Sequence, residues 1–491
     1  MSKEIRINAF VTFAPSHLSP GLWKHPRDKS LQYHTLAYWT ELARIAERGL
    51  YDALFWADGI STYSVYGGSH DPAIRGALQF PRLDPLLLVS AMAQVTTHLG
   101  FAVTSSTTYE PPYQFARRMS TLDHLTNGRV GWNIVTSFGN TGTRAVGLGE
   151  ARAHDERYDV ADEYMALLYK LWEGSWEDGA AVRDRERQIF ADPARVHEIR
   201  HDGQYFHIEG VHYSEPSPQR TPLLYQAGTS GRGKTFAATH AECVFISAPS
   251  RKVIRDTVQD TRRRVAEQGR DPASVLFFML LTVIVGRTEE EARAKLADIE
   301  RHVSLEGALA LFSRWTGIDL AGRDIDAPFT YERSEGMQST VEGFTIADPD
   351  RVWTIGELAR HNAIGGKGPV LVGSPAQVAD AMQAWMEETG VDGFNLSYTI
   401  MPDSHQDFVD LVVPELQRRG VYKTAYQPGT LREKLYGPGR ARLGSDHAAA
   451  RYRVPAAESA PSTPPDPTAP PAPTASQQQT RPAPAAGTAA A

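Results

Sequence analysis

The chain has 491 residues, 41% of them hydrophobic and 22% charged, with a formal net charge of -7. That balance is an ordinary globular one and lacks the basic excess of a nucleic-acid binder. A single cysteine, Cys243, excludes an internal disulfide, and no apolar run reaches the length of a signal sequence or a membrane span, so the expectation is a cytoplasmic protein with no nucleic-acid or membrane partner.

Ile5 to Phe13 alternates and reads as the first strand, broken by Pro15 and Pro20, with His17 in the loop that follows. Tyr38 to Leu50 has helical spacing, and Tyr51 to Trp56 is a second strand that ends at Asp58. A loop rich in Tyr, Gly and Ser follows, carrying Tyr63 and Tyr66. Asp84-Pro85 opens a helix over Leu83 to Thr97, with the acid as cap and the proline in the first turn. Leu99 to Thr104 is a third strand, and Pro111 to Leu125 is helical. After the turn marker Asn127-Gly128, the run Val130 to Val135 is a buried strand that passes into Thr136, Ser137 and Phe138.

Asp155 to Trp172 is a helix with acids near its start, as the helix dipole favours. Residues 174–221 break the rhythm and contain an expected hairpin, Tyr205 to Ile208 against Val211 to Tyr213, with Glu209-Gly210 as its turn. Pro222 to Ala227, Cys243 to Ser247 and Val275 to Val285 are strands, separated by helices over Thr235 to His240 and Lys252 to Gln268 and followed by one over Glu289 to Val303. Residues 306–367 have no strand–helix rhythm and read as an insertion, a helical lid. Pro369 to Val372 is extended. Ser374-Pro375 caps a helix through Glu388, Asp392 to Ser397 is the last strand, and His405 to Arg419 is the last helix.

The strand-then-helix units number about eight, the count of a (β/α)8 TIM barrel, which is the fold expected here within the α/β class. The domain reading is one barrel over residues 1–454, with insertions at about 174–221 and 306–367. The Pro- and Ala-rich tail over 455–491 cannot bury enough apolar surface to fold and reads as disordered.

Such barrels keep their chemistry at the carboxyl ends of the strands. The polar strand ends here are Asp58, Thr104, Ser137 and the segment Gly228, Thr229, Ser230, which would share one mouth. Glycines before a helix let backbone N–H groups approach an anion, so the Gly228–Gly233 loop is the candidate phosphate site; a loop small for packing reasons is the alternative. His154 and Tyr158 stand one helical turn apart and offer a second clamp. His17 and Tyr63 are the catalytic candidates, and Phe138, Phe312 and Trp315 are candidate walls of an apolar pocket. Zinc is not expected, because no HExxH or Cys/His cluster occurs, and no nucleophile elbow or carboxylate pair marks a hydrolase.

Several runs carry a family resemblance. They are Tyr51 to Phe55, Arg117 to Leu125, the Val130 strand, His154 to Tyr158, Lys170 to Trp176, Glu215 to Pro222, Asp392 to Leu396 and Val412 to Leu416. From about Ile5 to Arg453 the chain resembles the flavin-dependent monooxygenases of the nitrilotriacetate, pristinamycin and dibenzothiophene-sulfone group, in the bacterial-luciferase-like superfamily. Within that group it is most similar to the branch that oxidises dimethyl sulfide and long-chain alkanes.

The resemblance implies an enzyme that uses reduced FMN (FMNH2) and O2, supplied by a separate NADH-dependent flavin reductase, and assembles as a homodimer or homotetramer. It implies flavin contacts at Asp58, Thr104, Ser137, His154, Tyr158, Gly228, Thr229 and Ser230, with His17 facing the flavin. Two departures stand out: Ala14 and Phe138 replace a cysteine and a histidine of the alkane enzyme. Together they make an apolar corner, which favours an uncharged hydrophobic or sulfur-containing substrate over a polycarboxylate. Oxygen-dependent breakdown of riboflavin, hydride transfer with flavin or deazaflavin, and flavin storage without catalysis are the alternatives.

Overall fold

The strand-forming runs close into a ring. In the computed structural model, which describes residues 3–333 and 336–454, the strands are β1 (Arg6–Thr12), β2 (Ala53–Ala57), β3 (Gly100–Ser106), β4 (Val130–Val135), β5 (Ile199–Asp202), β6 (His207–Gly210), β7 (Leu223–Gln226), β8 (Cys243–Ile246), β9 (Leu276–Val285), β10 (Val370–Gly373) and β11 (Gly393–Ser397). β1, β2, β3, β4, β7, β8, β9 and β11 pair in that order, all parallel, and β11 returns to β1. This is the closed eight-stranded barrel, with helices between its strands. The disordered tail expected over 455–491 lies outside the described residues.

The two-residue period of the strands sorts their side chains into two separate packing layers. Ile7, Val11, Leu54, Trp56, Phe101, Val103, Trp132 and Phe277 pack outward with the helices. Phe10, Phe55, Tyr225, Phe245 and Phe278 face inward and meet edge-on or tilted, with ring centroids 4.8–6.3 Å apart. Gly131 makes room for this inner layer: a Cβ there would stand 2.8 Å from the Tyr225 ring. The interior also holds amides: Asn8 donates to Asn395 across β1 and β11 at 2.9 Å.

The helices start where the sequence placed caps. Asp84 accepts from Leu86 N–H at 2.9 Å, and Ser374 with Gln377 forms a complete capping box at the helix Pro375–Thr389. The helix expected over Leu83 to Thr97 is shorter, a 3-10 turn over Pro85–Leu88 followed by Val89–Ala93.

The expected hairpin is displaced. β6 pairs antiparallel with β5, matching Ile199 to Gly210 and Asp202 to His207, so Glu209-Gly210 lies in the strand rather than in the turn. The turn is at Gly203–Phe206 because the Glu163 carboxylate, on the helix His154–Tyr169, accepts the N–H groups of Gln204, Tyr205 and Phe206 at 2.8–3.1 Å. A contact to another element fixes the register that local turn chemistry misplaced.

Residues 306–367 contribute the rest of helix Leu305–Thr316 and the helices Gln338–Gly343 and Ile355–Asn362. The segment is followed by β10, which among the described residues pairs only with Thr282–Val285 at the end of β9. β10 is therefore a ninth strand outside the ring. At the opposite end of the barrel, Arg432 is buried under β7 and β8. It donates to Glu242 at 2.7 and 3.1 Å and to the carbonyls of Thr221, Pro222 and Ala441 at 2.7–3.1 Å.

Candidate active site

The carboxyl ends of the strands open into a cavity of about 330 Å³. β2 delivers Asp58; β4 delivers Thr136, Ser137 and Phe138; β7 delivers Gln226 to Ser230; and β8 delivers Ser247. The loop after β1 brings His17, and the tyrosine loop brings Tyr63. Residues 306–367 add Arg314, Trp315, Met337, Thr340 and Lys367 to the lining.

One wall is formed by a glycine-rich loop and the start of a helix. Ser230 caps the ten-residue helix Gly231–His240 by accepting from Gly233 N–H at 3.1 Å. The unsatisfied amides and the dipole of that helix start point toward the cavity mouth. Gly228 and Gly233 lie against the Tyr158 hydroxyl: a Cβ on them would stand 2.4 and 2.8 Å from it. His154 Nε2 lies 3.3 Å from Ser230 Oγ, and its Nδ1 lies 2.7 Å from Asp155. Ser137 adopts a left-handed φ of 51°, a conformation uncommon for a residue with a side chain, and its hydroxyl donates to Ser106 at 2.8 Å. Burial raises the Tyr158 phenol, which stays neutral.

The opposing wall is a hydrogen-bonded chain. Tyr63 Oη donates to Gln79 at 2.5 Å, Arg82 donates to both at 3.2 and 2.7 Å, and Gln79 Nε2 donates to the His17 carbonyl at 2.9 Å. Burial, with the nearby Arg82 charge, holds the His17 ring down at about 3, although the Phe10 backbone opposes this. His17 is therefore neutral at physiological pH. Burial pushes the Asp58 carboxyl up to about 6 against the pull of Arg82 and the Gly59 amide. Three buried polar atoms on the cavity wall, His17 Nδ1, Gln226 Oε1 and Ser247 Oγ, have no protein partner.

With that geometry in view, the comparisons with known proteins decide the family. A family model described as luciferase-like monooxygenase matches residues 9–393. The chain belongs to this family. It is similar to the dimethyl-sulfide monooxygenase of Hyphomicrobium sulfonivorans, 48% identical over 92% of this chain and 94% of that one. It is equally similar to the long-chain alkane monooxygenase of Geobacillus thermodenitrificans (strain NG80-2), 49% identical over 92% of this chain and 99% of that one. A crystal structure of a riboflavin lyase with modified FMN and riboflavin matches with a TM-score of 0.86 at 38% identity, over 92% of this chain and all of that one.

In this luciferase-like monooxygenase the cavity gathers His17, Asp58, Tyr63, Ser137, Phe138, His154, Tyr158 and Gly228 to Ser230. Three expected residues are not on its wall. Thr104 is buried with its hydroxyl engaged: it donates to the Trp56 carbonyl at 2.6 Å and accepts from Asn133 Nδ2 at 2.8 Å. Phe312 is fully buried inside the lid, edge-on to Phe329 and Phe344 at 5.4 Å, so it packs the lid core instead of the pocket. Ala14 is buried and off the wall.

Other cavity residues escaped the sequence reading. Gln79, Arg82, Arg314 and Lys367 all line the cavity. Arg314 stands 4.3 Å above the Phe138 ring and donates to its carbonyl at 3.4 Å. Arg314 precedes Trp315, and Lys367 sits in the Gly365-Gly366-Lys367-Gly368 run. For Arg314 the signal was its neighbour Trp315, already singled out; for Lys367 it was only a glycine-rich end to the 306–367 insertion, and neither gave a reason to face inward.

Away from the cavity, His25, Asp298 and His302 gather their ligand-type atoms. Arg27 N–H donates to His25 Nδ1 at 3.2 Å, so His25 Nε2 carries the proton that it shares with Asp298 at 3.0 Å. That trio is a hydrogen-bonded tie between the N-terminal loop and the helix Glu289–Glu300. Among the described residues, no helix is long and apolar enough to cross a membrane.

Proposed function

We propose that this protein is the oxygenase component of a two-component system. It would use reduced FMN from a separate NADH-dependent reductase and O2 to oxygenate a small apolar or sulfur-containing molecule, working in the cytoplasm as a homodimer or homotetramer. The observation that carries the reading is the pairing, in one cavity, of an anion cradle with a neutral histidine whose Nδ1 has no protein partner.

The residues present fit FMN. Ser137, Tyr158, Ser230 and the amides at the start of helix Gly231–His240 would hold the phosphate, and Gly228 keeps the cradle open where a Cβ would fill it. Gln226 Oε1 and Ser247 Oγ, partnerless on the wall, would accept or exchange hydrogen bonds with the bound flavin. Reduced FMN supplies the electrons that activate oxygen.

The chain's own residues do the rest. His17 Nδ1 is the atom at which a proton is held or accepted, since the ring is neutral and that atom has no protein partner. The Tyr63–Gln79–Arg82 chain holds the His17 loop in place through the Gln79 bond to its carbonyl. Asp58 orients the bound ring from the β2 side. Trp315, Met337 and Thr340 of the lid exclude water, which protects a reactive oxygen species from wasteful breakdown.

The test is oxygen uptake with FMN, NADH and a flavin reductase against alkanes, dialkyl sulfides, sulfones and riboflavin. Substrate-dependent uptake with oxygen incorporated into product supports the reading. Turnover that persists without oxygen would replace it with hydride transfer, and binding of FMN without any uptake would leave a storage protein.

A further inference from the structure

Lys367 is the lid's contribution to the β1 side of the mouth. It follows Gly365 and Gly366, both at left-handed φ near 71°. Gly365 N–H donates to Ser19 Oγ at 3.0 Å, and a Cβ on Gly366 would lie 3.3 Å from Leu18. The segment is thus seated on the same loop that carries His17. In the ring order, β1 stands four strands from β7 in either direction, so the loop that seats Gly365 and Gly366 is on the far side of the ring from the strand that leads into the cradle.

The ammonium is poorly provided for by the protein. Its Nζ donates to Thr340 Oγ1 at 2.9 Å, touches Met337 Sδ at 3.7 Å and stands 5.2 Å from the Trp315 ring. Among the described residues no carboxylate lies within ion-pair distance of it. Lys367 is half-buried, and a cation held partly away from water without a counter-charge is unfavourable unless something else neutralises it. Burial lowers its ionisation to about 8, which leaves it protonated at neutral pH.

We infer that Lys367 is an anchor for an anionic group on the substrate: the molecule oxygenated here has an apolar or sulfur-containing body and a compact carboxylate, sulfinate or sulfonate head. The inference rests on the monooxygenase reading for its chemistry. It also modifies the sequence expectation of an uncharged substrate, which rested on the apolar corner of Ala14 and Phe138, because residues 306–367 bring charge into the cavity. The body has its own surface in Phe10, Leu18, Leu280, Trp315 and Met337. Arg314 leans over Phe138 on the β4 side and belongs to the other half of the cavity.

The experiment is calorimetric titration of the full chain, with and without FMN, using hexanoate and its neutral isostere hexanamide. A charge-assisted pair predicts that hexanoate binds about tenfold tighter or better. Lys367→Met should erase that preference while FMN affinity, read from flavin fluorescence, stays within about twofold, and Lys367→Arg should keep the preference. Equal binding of the two probes, binding of neither at millimolar concentration, or a loss of FMN affinity in Lys367→Met that matches the loss of hexanoate would overturn it. Failure of the wild-type chain to bind FMN while the hexanoate preference persists would retire the flavin reading and leave the anion site standing.

Discussion

A Cβ added to Gly228 would stand 2.4 Å from the hydroxyl of Tyr158, closer than any unstrained contact. The same atom would meet Gln226 Nε2 at 2.4 Å. Gly228→Ala should therefore push two cradle side chains aside and weaken FMN binding about tenfold, with Tyr158→Phe losing several-fold through one missing donor. Because Phe removes the atom that the methyl strikes, the double variant should bind better than the two losses combined imply. Titration by flavin fluorescence quenching reads all three, and unchanged affinity in Gly228→Ala would separate this loop from the phosphate.

His17 sits where the barrel's inner aromatic layer ends, its ring 4.5 Å from Phe10. His17→Ala should keep FMN binding within a few-fold but divert consumed oxygen to hydrogen peroxide, lowering coupling by roughly an order of magnitude. A peroxide assay run beside product analysis checks this. Full coupling in the variant would leave His17 with a packing role only.

Arg432 predicts a stability effect far from the cavity. Replacing it with Met strands the buried Glu242 carboxylate and frees the carbonyls of Thr221, Pro222 and Ala441, so unfolding free energy should drop by about 3–5 kcal/mol. Urea denaturation measures it. Glu242→Gln in the same background should recover part of the loss, since the stranded charge is then gone.

Acid should weaken the fold through its buried histidines. His17 is held at about 3, and His212 and His405 at about 4, all by burial. Unfolded, each takes a proton near pH 6.5, so stability is full above that value and falls as pH drops toward 4. Three such groups give a slope of about 4 kcal/mol per pH unit near pH 5. Asp58, raised to about 6, works in the opposite sense over roughly the same range and offsets about one of the three. Urea midpoints at successive pH values should show the fall, and His405→Asn should flatten it.

The barrel was legible because apolar runs alternate with helical ones about eight times, a rhythm that leaves few ways to fold. The helix start after the glycine-rich loop was legible too, since such a turn before a helix is a local pattern, and Ser230 does cap that helix. What escaped depends on partners distant in sequence. The hairpin register is set by Glu163, about 40 residues upstream. Thr104 looked like a strand-end ligand, but its hydroxyl is taken by Trp56 and Asn133 on neighbouring strands. Phe312 and Arg314 sit two positions apart on one helix, yet one packs the lid core and the other meets the cavity. Only the fold of the insertion separates those fates.

The ten-residue β9 is longer than any other strand of the ring, and its two halves have different neighbours: β8 and β11 first, then β10. The segment from Ser304 to Gly373 therefore departs from the barrel and lands back on the same strand that preceded it, like a handle fixed at both ends. Such a handle can be exchanged as a cassette. Swapping it between relatives would transplant Arg314, Trp315 and Lys367 together while the cradle on β4 and β7 stays as it is. Evolution or an engineer could then change what is oxidised without rebuilding what binds the flavin.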